Sequence, residues 1–323
     1  MQQEIRFATF NVCNLAPPGV KLYDNLLPTT LEEYEAKLDW TARQIDLLDA
    51  DVIGFQEIFS QATLKEVLAR TQLYRNAFHL GFDPDPGAMR LTPSVALVSR
   101  LPLAGPAQPM VEFPRGIELP PGSRDAARFT RAPLHAVVSV SPDVTVDVVV
   151  VHLKSRRPDY RTGDTGEDPA LYALACLRSL IRRGTEAAAL RVLMTEMGRT
   201  NRRPRVLLGD FNDVADSVTT SIVLGAGTPL GDRLYDANKI QRADHARHLG
   251  FSNVHEGHYS TIDHILVSEE FNGALPNAIG EVVDVIYLND HLDLALPEAS
   301  DHGQVLARIR LFDESHGLME AGV

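Results

Sequence analysis

The feature that most constrains the fold of this chain is a set of short apolar runs that end abruptly in polar residues. The clearest is VLLGDFND (206–213), in which three aliphatic residues lead into a glycine and then into two acids and an amide. Aliphatic runs of this length, bounded by Gly and Asp, are typical of buried strands. We therefore expect a buried strand that carries Asp210 and Asn212 at its tip, with Gly209 letting the chain open there.

Strand-like runs outnumber helical ones and occur along the whole chain. LHAVVSV (134–140) and VTVDVVVVHL (144–153) flank a Ser-Pro-Asp turn, which predicts a hairpin. Residues 104–125 are rich in Pro and Gly and predict an irregular loop. We expect an α/β fold of two stacked mixed sheets flanked by helices, formed as a single domain over residues 1–323.

Two longer helices are predicted. The first covers residues 29–50, where Thr30 and Glu33 make a capping box. The second covers residues 169–199, with Gly184 as a candidate break. The apolar face of the first helix is predicted to contain Leu31, Tyr34, Leu38, Ile45 and Leu48.

The charge and composition of the chain exclude some classes of function. A formal net charge of −12 over 323 residues argues against binding nucleic acid by bulk positive charge, although it leaves room for an enzyme that uses metal cations. Cys13 and Cys176 form no CxxC pair and are expected to be free thiols. No run reaches the ~20 apolar residues of a membrane span, and no signal peptide is recognisable. A cytoplasmic location is expected, or secretion if a signal has been removed.

Polar residues stand at the ends of several predicted strands. Taken singly, each has an ordinary explanation as a helix cap, a solvated loop residue or a satisfied polar group. Their recurrence in one chain favours a shared site, and side chains two apart on a strand point to the same face. By that spacing His152 is expected to face the same place as Lys154, and Asp210 the same place as Asn212. The set comprises Asn11, Glu57, His152, Lys154, Asp210, Asn212, Asp263, His264, Asp301 and His302.

The motifs that carry these residues resemble a known family. TFNVCNL, DVIGFQEI, SVALVSRLPL, VVHLKS, LLGDFND, TIDHILVS and SDHGQV run in order from residue 9 to residue 305. They resemble the successive motifs of the endonuclease/exonuclease/phosphatase superfamily, which includes deoxyribonucleases, abasic-site endonucleases, sphingomyelinases and inositol-polyphosphate phosphatases. The resemblance implies a four-layer α/β/β/α sandwich, and it is nearest to bacterial nuclease-type members.

The resemblance also implies roles for individual residues. By position, Asn11, Glu57 and Asp301 match the metal site, and Asp210 matches the acid that orients or deprotonates the attacking water. Asn212 matches an amide at the phosphate, His302 and Asp263 match the histidine–carboxylate pair, and His152 matches a second histidine. Arg131, Lys154 and Ser155 are the candidate substrate-binding residues.

Phosphate-ester hydrolysis suits these residue types on chemical grounds. A hard divalent ion prefers oxygen ligands and stabilises an anionic transition state, so Mg²⁺ is the expected cofactor, with Mn²⁺ or Ca²⁺ as alternatives. Asp210 is expected to be ionised, and His302 is expected to be cationic because Asp263 favours the charged imidazole. His152 and Lys154 are expected to add positive charge at the phosphate. The chain has no GxSxG, GxxxxGK[ST] or HExxH motif to suggest another chemistry.

Three functions remain open from the sequence. The first is a nuclease or phosphodiesterase that cleaves DNA or RNA. The second is an enzyme for a small-molecule, sugar or lipid phosphate, and the third is an inactive binding module. Nothing in the sequence points to an obligate protein partner.

Overall fold

The computed structural model describes residues 3–23, 25–83, 92–119, 127–225, 227, 232–242, 250–294 and 296–313. Within these residues the strands are β1 (Glu4–Leu15), β2 (Val52–Ile58), β3 (Phe78–Gly81), β4 (Ser94–Ser99), β5 (Gln108–Pro109), β6 (Leu134–Ser139), β7 (Thr145–His152), β8 (Arg205–Asp210), β9 (Leu234–Asp236), β10 (Asn253–His255), β11 (His258–Ser260), β12 (Asp263–Ser268), β13 (Gly280–Leu288) and β14 (Gln304–Leu311).

The strands form two six-stranded sheets and one small ribbon. The first sheet has the order β13-β14-β1-β2-β4-β3, and the second has the order β5-β6-β7-β8-β12-β9. The pairs β1–β2 and β7–β8 are parallel, whereas their other neighbours are antiparallel, so both sheets are mixed. The predicted hairpin is confirmed as β6–β7. β10 and β11 pair only with each other as strands.

The helices among the described residues are α1 (Leu31–Leu48), α2 (Gln61–Arg70), α3 (Pro169–Asn201), α4 (Val218–Leu224) and α5 (Ala237–Ile240), with 3-10 turns at Glu269–Phe271 and Asp290–Asp293. The capping box of Thr30 and Glu33 is present at the start of α1. Four of the five residues predicted for the apolar face of α1 are buried, whereas Leu31, the first residue of the helix, is 65% exposed. α3 runs without interruption through Gly184.

Buried apolar side chains form one layer between the sheets and one on each outer face. Side chains of β1, β2 and β14 meet those of β7, β8 and β12 between the sheets. α1 and α2 cover the outer face of the first sheet, and α3 and α4 cover that of the second. The predicted fold of two stacked mixed sheets flanked by helices is therefore confirmed. The predicted loop 104–125 contains the short β5, and its residues 120–126 lie outside the described residues. No helix among the described residues is long and apolar enough to cross a bilayer.

Candidate active site

Three of the predicted site residues lie in a row across neighbouring strands of the second sheet. His152 ends β7, Asp210 ends β8, and the two are direct partners in the parallel register. Asp263 begins β12 and is the antiparallel partner of Asp210. The sheet pairing alone therefore brings these three side chains to one end of the sandwich.

Asp210 is at the centre of this row and is 1% exposed. Its Oδ2 accepts hydrogen bonds from Nδ2 of Asn11 at 3.1 Å and from Nδ2 of Asn212 at 3.2 Å. Nε2 of His152 lies 3.4 Å from the same oxygen, and Nε2 of His302 lies 4.0 Å from it. Burial, aided by the charge of Asp263, raises the pKa of Asp210 to about 7. The expectation of an ionised Asp210 applies to the carboxylate beside a bound cation and stays a prediction, whereas in the protein alone burial disfavours the carboxylate.

Asn212 reaches Asp210 by a local turn and not by strand alternation. β8 ends at Asp210, and Asn212 has a left-handed backbone with φ of 53°. Its N–H donates to Asp210 Oδ1 at 2.7 Å, and its Nδ2 also donates to the carbonyl of Leu153 at 3.0 Å. The predicted convergence is confirmed, but the period-two reason for it was wrong.

Asp263 and His302 form a buried pair beside Asp210. Nδ1 of His302 lies 2.8 Å from Asp263 Oδ2, and the hydroxyl of Ser252 donates to the same oxygen at 2.7 Å. The hydroxyl of Ser300 accepts the backbone N–H of His302 at 3.0 Å and so helps to hold the turn that precedes β14. Burial would lower the pKa of His302, but the carboxylates of Asp263 and Asp210 raise it well above the usual value. The expected cationic His302 is consistent with this direction.

His152 differs from the expectation of a second cation. It is buried, and burial together with the charges of Arg131 and His302 lowers its pKa well below the usual value. The prediction of positive charge at His152 was therefore wrong, because burial and the neighbouring positive charges of Arg131 and His302 disfavour the imidazolium. Arg131 donates through Nε to the carbonyl of His152 at 2.9 Å and through a second nitrogen to that of Leu153.

Lys154 does not face the same place as His152. β7 ends at His152, so strand alternation does not extend to Lys154. Its ammonium donates to the carbonyls of Ser155 and Arg157, each at 3.2 Å, and to the hydroxyl of Ser179 at 3.3 Å. The substrate-binding roles of Lys154 and Ser155 stay predictions, and their contacts lie on the α3 side of the strand end.

The predicted metal ligands lie at an irregular part of the first sheet. The register of β1 against β2 shifts between Asn11 and Leu15. Asn14 and Glu57 both have left-handed backbones, with φ of 56° and 63°, and the Asn14 N–H donates to Glu57 Oε2 at 2.9 Å. Left-handed conformations at residues other than glycine cost about 1–3 kcal/mol and concentrate at functional sites. The strand distortion therefore sets the direction of the Glu57 carboxylate.

Two residues that the sequence reasoning missed interact with this region. Burial, together with the charges of Asp301 and Glu57, raises the pKa of the Cys13 thiol. Lys37 of α1 donates to the carbonyl of Ala299 at 3.4 Å. Burial lowers the pKa of Lys37, opposed by the charges of Asp301 and Glu57. A lysine six residues past the start of a helix gives no sequence signal for such a place.

The donor set of Glu57 and Asp301 fits a hard divalent cation. The carboxylates of Glu57 and Asp301 both affect the pKa values of Cys13 and Lys37, so they supply negative oxygen ligands to one region. Desolvation by the surrounding protein would raise the pKa of Asp301, but the charge of His302 holds it below the usual value. Asn11 Oδ1 already accepts the N–H of Cys13 at 3.1 Å, so it has one lone pair left to offer.

A second candidate metal position lies among the side chains of Asp210, Asp263 and His302. Among the described residues, Asp210, Asp263 and His302 bring one ligand atom each to within 4.8 Å of one another. A cation at these three atoms would compete with the 2.8 Å contact between His302 and Asp263. The region of Glu57 and Asp301 is free of that competition.

Comparisons with known proteins agree with this geometry. The model of the Endonuclease/Exonuclease/phosphatase family matches residues 8–302. Comparison with the curated proteins finds no match to this sequence.

Solved structures share the fold at low sequence identity. The human Nocturnin catalytic domain with bound sulfate is similar at a TM-score of 0.61 and 15% identity, over 97% of this chain and 96% of that chain. A mannosyl-6-phosphatase of Bacteroides thetaiotaomicron is similar at 0.56 and 17%, over 94% and 99%. ANGEL2, a 2',3'-cyclic phosphatase in complex with adenosine-2',3'-vanadate, is similar at 0.60 and 15%, over 96% of each chain. Together with the family match, the convergent acids, amides and histidines lead to one conclusion: this chain belongs to the endonuclease/exonuclease/phosphatase family of phosphate-ester hydrolases.

Proposed function

We propose that this protein is a metal-dependent phosphodiesterase that cleaves nucleic acid, DNA or RNA, by attack of water on phosphorus. The proposal rests on the surroundings of Asp210, a buried acid whose carboxyl group lies next to two side-chain amides and two histidines. Such a ring of donors around one acid suits a reaction in which a proton leaves water while negative charge grows on phosphate oxygens. The extensive core that both sheets share supports our treatment of residues 1–323 as one domain.

Asp210 acts as the base in this scheme. Its pKa of about 7 places it where a general base is efficient at neutral pH, since it can both accept and return a proton. The Nδ2 groups of Asn11 and Asn212 bind its Oδ2, which fixes the carboxylate toward the reacting water. Fixed orientation of this kind removes an entropic cost from the reaction.

The two histidines act differently. His302, held by Asp263, brings a positive charge to the oxygens on which negative charge develops. His152 is neutral and acts as a hydrogen-bonding group, with its backbone fixed by Arg131. A donor of either kind lowers the barrier by about 3 kcal/mol in comparable sites.

Mg²⁺, or Mn²⁺ or Ca²⁺ in its place, would be held by Glu57, Asp301 and the amide oxygen of Asn11, and when bound it supplies charge stabilisation to the phosphate and the leaving oxygen. The ammonium group of Lys37 interacts electrostatically with the carboxylates of Asp301 and Glu57. Arg131, Lys154 and Ser155 are proposed to lie along the substrate backbone on the α3 side. A small-molecule, sugar or lipid phosphate is the alternative substrate, and its support is that fold relatives include a sugar phosphatase and a cyclic phosphatase.

A substrate panel tests the proposal. The purified protein is assayed with Mg²⁺ or Mn²⁺ on plasmid, single-stranded DNA and RNA, bis(p-nitrophenyl) phosphate and phosphomonoesters. We expect cleavage of nucleic acid that falls by at least 100-fold in Asp210→Asn and in His302→Ala. The matched control is Asp216→Asn, because Asp216 is an exposed aspartate paired with Lys239. Intact nucleic acid with hydrolysis of another ester would refute the nuclease assignment, and equal activity of all variants would refute the assigned residues.

A further inference from the structure

A small β-ribbon projects from the candidate active site. β10 and β11 are joined by the two residues Glu256 and Gly257, both with positive φ, of 49° and 77°. Two left-handed residues at the centre of a two-residue loop make the turn type that matches the natural twist of a hairpin. His255 and His258 are exposed partners beside this turn. The ribbon is therefore a short, well-defined projection.

The base of the ribbon is joined to the His302–Asp263 pair. Asn253 forms a bridge with His302, and its Nδ2 donates to the carbonyl of Asp301 at 3.0 Å. Ser252, directly before β10, binds Asp263 through its hydroxyl, and its carbonyl accepts the N–H of Gly303 at 2.7 Å. A group on the ribbon is consequently held in a fixed relation to the proposed phosphate position.

Tyr259 is the large aromatic side chain of this ribbon. It is 60% exposed, and its ring meets Phe251 edge to face with the centroids 4.6 Å apart. Tyr259 pairs with Val254, which is one residue beyond Asn253, the residue that bridges His302. Neighbouring strands lie ~4.8 Å apart and one residue of strand is ~3.3 Å, so two strand spacings and one residue place the backbone of Tyr259 roughly 10 Å from that of His302.

We propose that Tyr259 is a stacking platform for an unpaired nucleobase that flanks the scissile phosphate. This assignment rests on the proposed nuclease function and names its substrate as single-stranded nucleic acid. Exposed aromatic rings beside a backbone-binding site stack on bases of any sequence, because every base has a π face. A net charge of −12 leaves little bulk attraction for a polyanion, so stacking supplies binding that charge does not.

The test compares two labelled single-stranded oligonucleotides of equal length. Each has one cleavable phosphodiester between methylphosphonates, and it is flanked by thymidines in one and by abasic tetrahydrofuran residues in the other. We expect Tyr259→Ala to lower kcat/KM about tenfold on the thymidine substrate and to leave the abasic substrate unchanged. Tyr259→Phe keeps the ring and should retain full activity, whereas Tyr259→Leu keeps apolar surface without a ring and should behave as the alanine variant does.

The other outcomes separate this inference from the function on which it rests. A wild-type protein that cuts neither oligonucleotide but hydrolyses another phosphate ester refutes the nuclease function and the platform together. A wild-type protein that cuts both, with an equal loss for both in Tyr259→Ala, assigns Tyr259 a structural role and refutes the platform alone. Unchanged oligonucleotide cleavage with a selective loss of binding to phosphatidylcholine–phosphatidylserine vesicles would assign the ribbon to a lipid surface and overturn the inference.

Discussion

Replacing Gly209 by alanine should damage both the stability and the site of this protein. Gly209 is in the centre of the second sheet, where it pairs with Val151 of β7 and with His264 of β12. Its φ is +152°, and an added Cβ would lie 2.0 Å from the carbonyl oxygen of Val151 and 2.9 Å from that residue's Cγ2. The nearest obstacle is backbone, so β7 and β8 must separate by more than 1 Å to admit the methyl group.

The expected loss of unfolding free energy follows from this clash. Overpacking a close-packed interior costs about 1–3 kcal/mol, and an unfavourable φ adds about 1–3 kcal/mol. We therefore expect Gly209→Ala to lose about 2–6 kcal/mol in urea unfolding followed by circular dichroism. Separation of β7 from β8 also moves His152 away from Asp210, and a 1 Å misplacement costs about 100-fold in rate.

Gly184→Ala is the matched control for this substitution. Gly184 is inside the uninterrupted α3, and an added Cβ there meets nothing within 4 Å. Alanine is favoured over glycine in a helix by about 0.5–1 kcal/mol, so this variant should gain stability and keep its activity. A Gly209→Ala protein within 0.5 kcal/mol of wild type, with unchanged turnover, would refute the reasoning.

Three further predictions concern charge in the site. Because the pKa of Asp210 is raised, the unfolding free energy without metal should fall by up to about 4 kcal/mol as pH rises from about 4 through 7. Asp210→Asn should flatten that fall. An equally steep pH profile in the variant would contradict the raised pKa. Lys37→Met should raise Mg²⁺ affinity roughly tenfold by calorimetry, because it removes a cation near Glu57 and Asp301, whereas the exposed Lys65→Met should not. Glu57→Gln should weaken Mg²⁺ affinity while His302→Ala mainly lowers turnover, and an unchanged metal titration of Glu57→Gln would exclude Glu57 as a ligand.

Most of the secondary-structure elements and most residues of the candidate site could be predicted from the sequence. Apolar runs fixed β7, β8 and β12 because buried strands need continuous apolar side chains, and the capping box fixed the start of α1. The motif order identified Asp210, Asp263 and His302, and the fold does bring them together.

The electrostatics of the site and the points at which its strands end follow from tertiary packing. The direction of Lys154 depends on where β7 stops, and the lowered pKa of His152 depends on its burial and on the charges of Arg131 and His302. Lys37 enters the region from α1, which carries none of the motifs, and Tyr259 lies just before the TIDHILVS motif on a ribbon that the fold joins to His302. Desolvation and contacts between distant segments arise only when the chain packs, so they could not be predicted from a local sequence pattern.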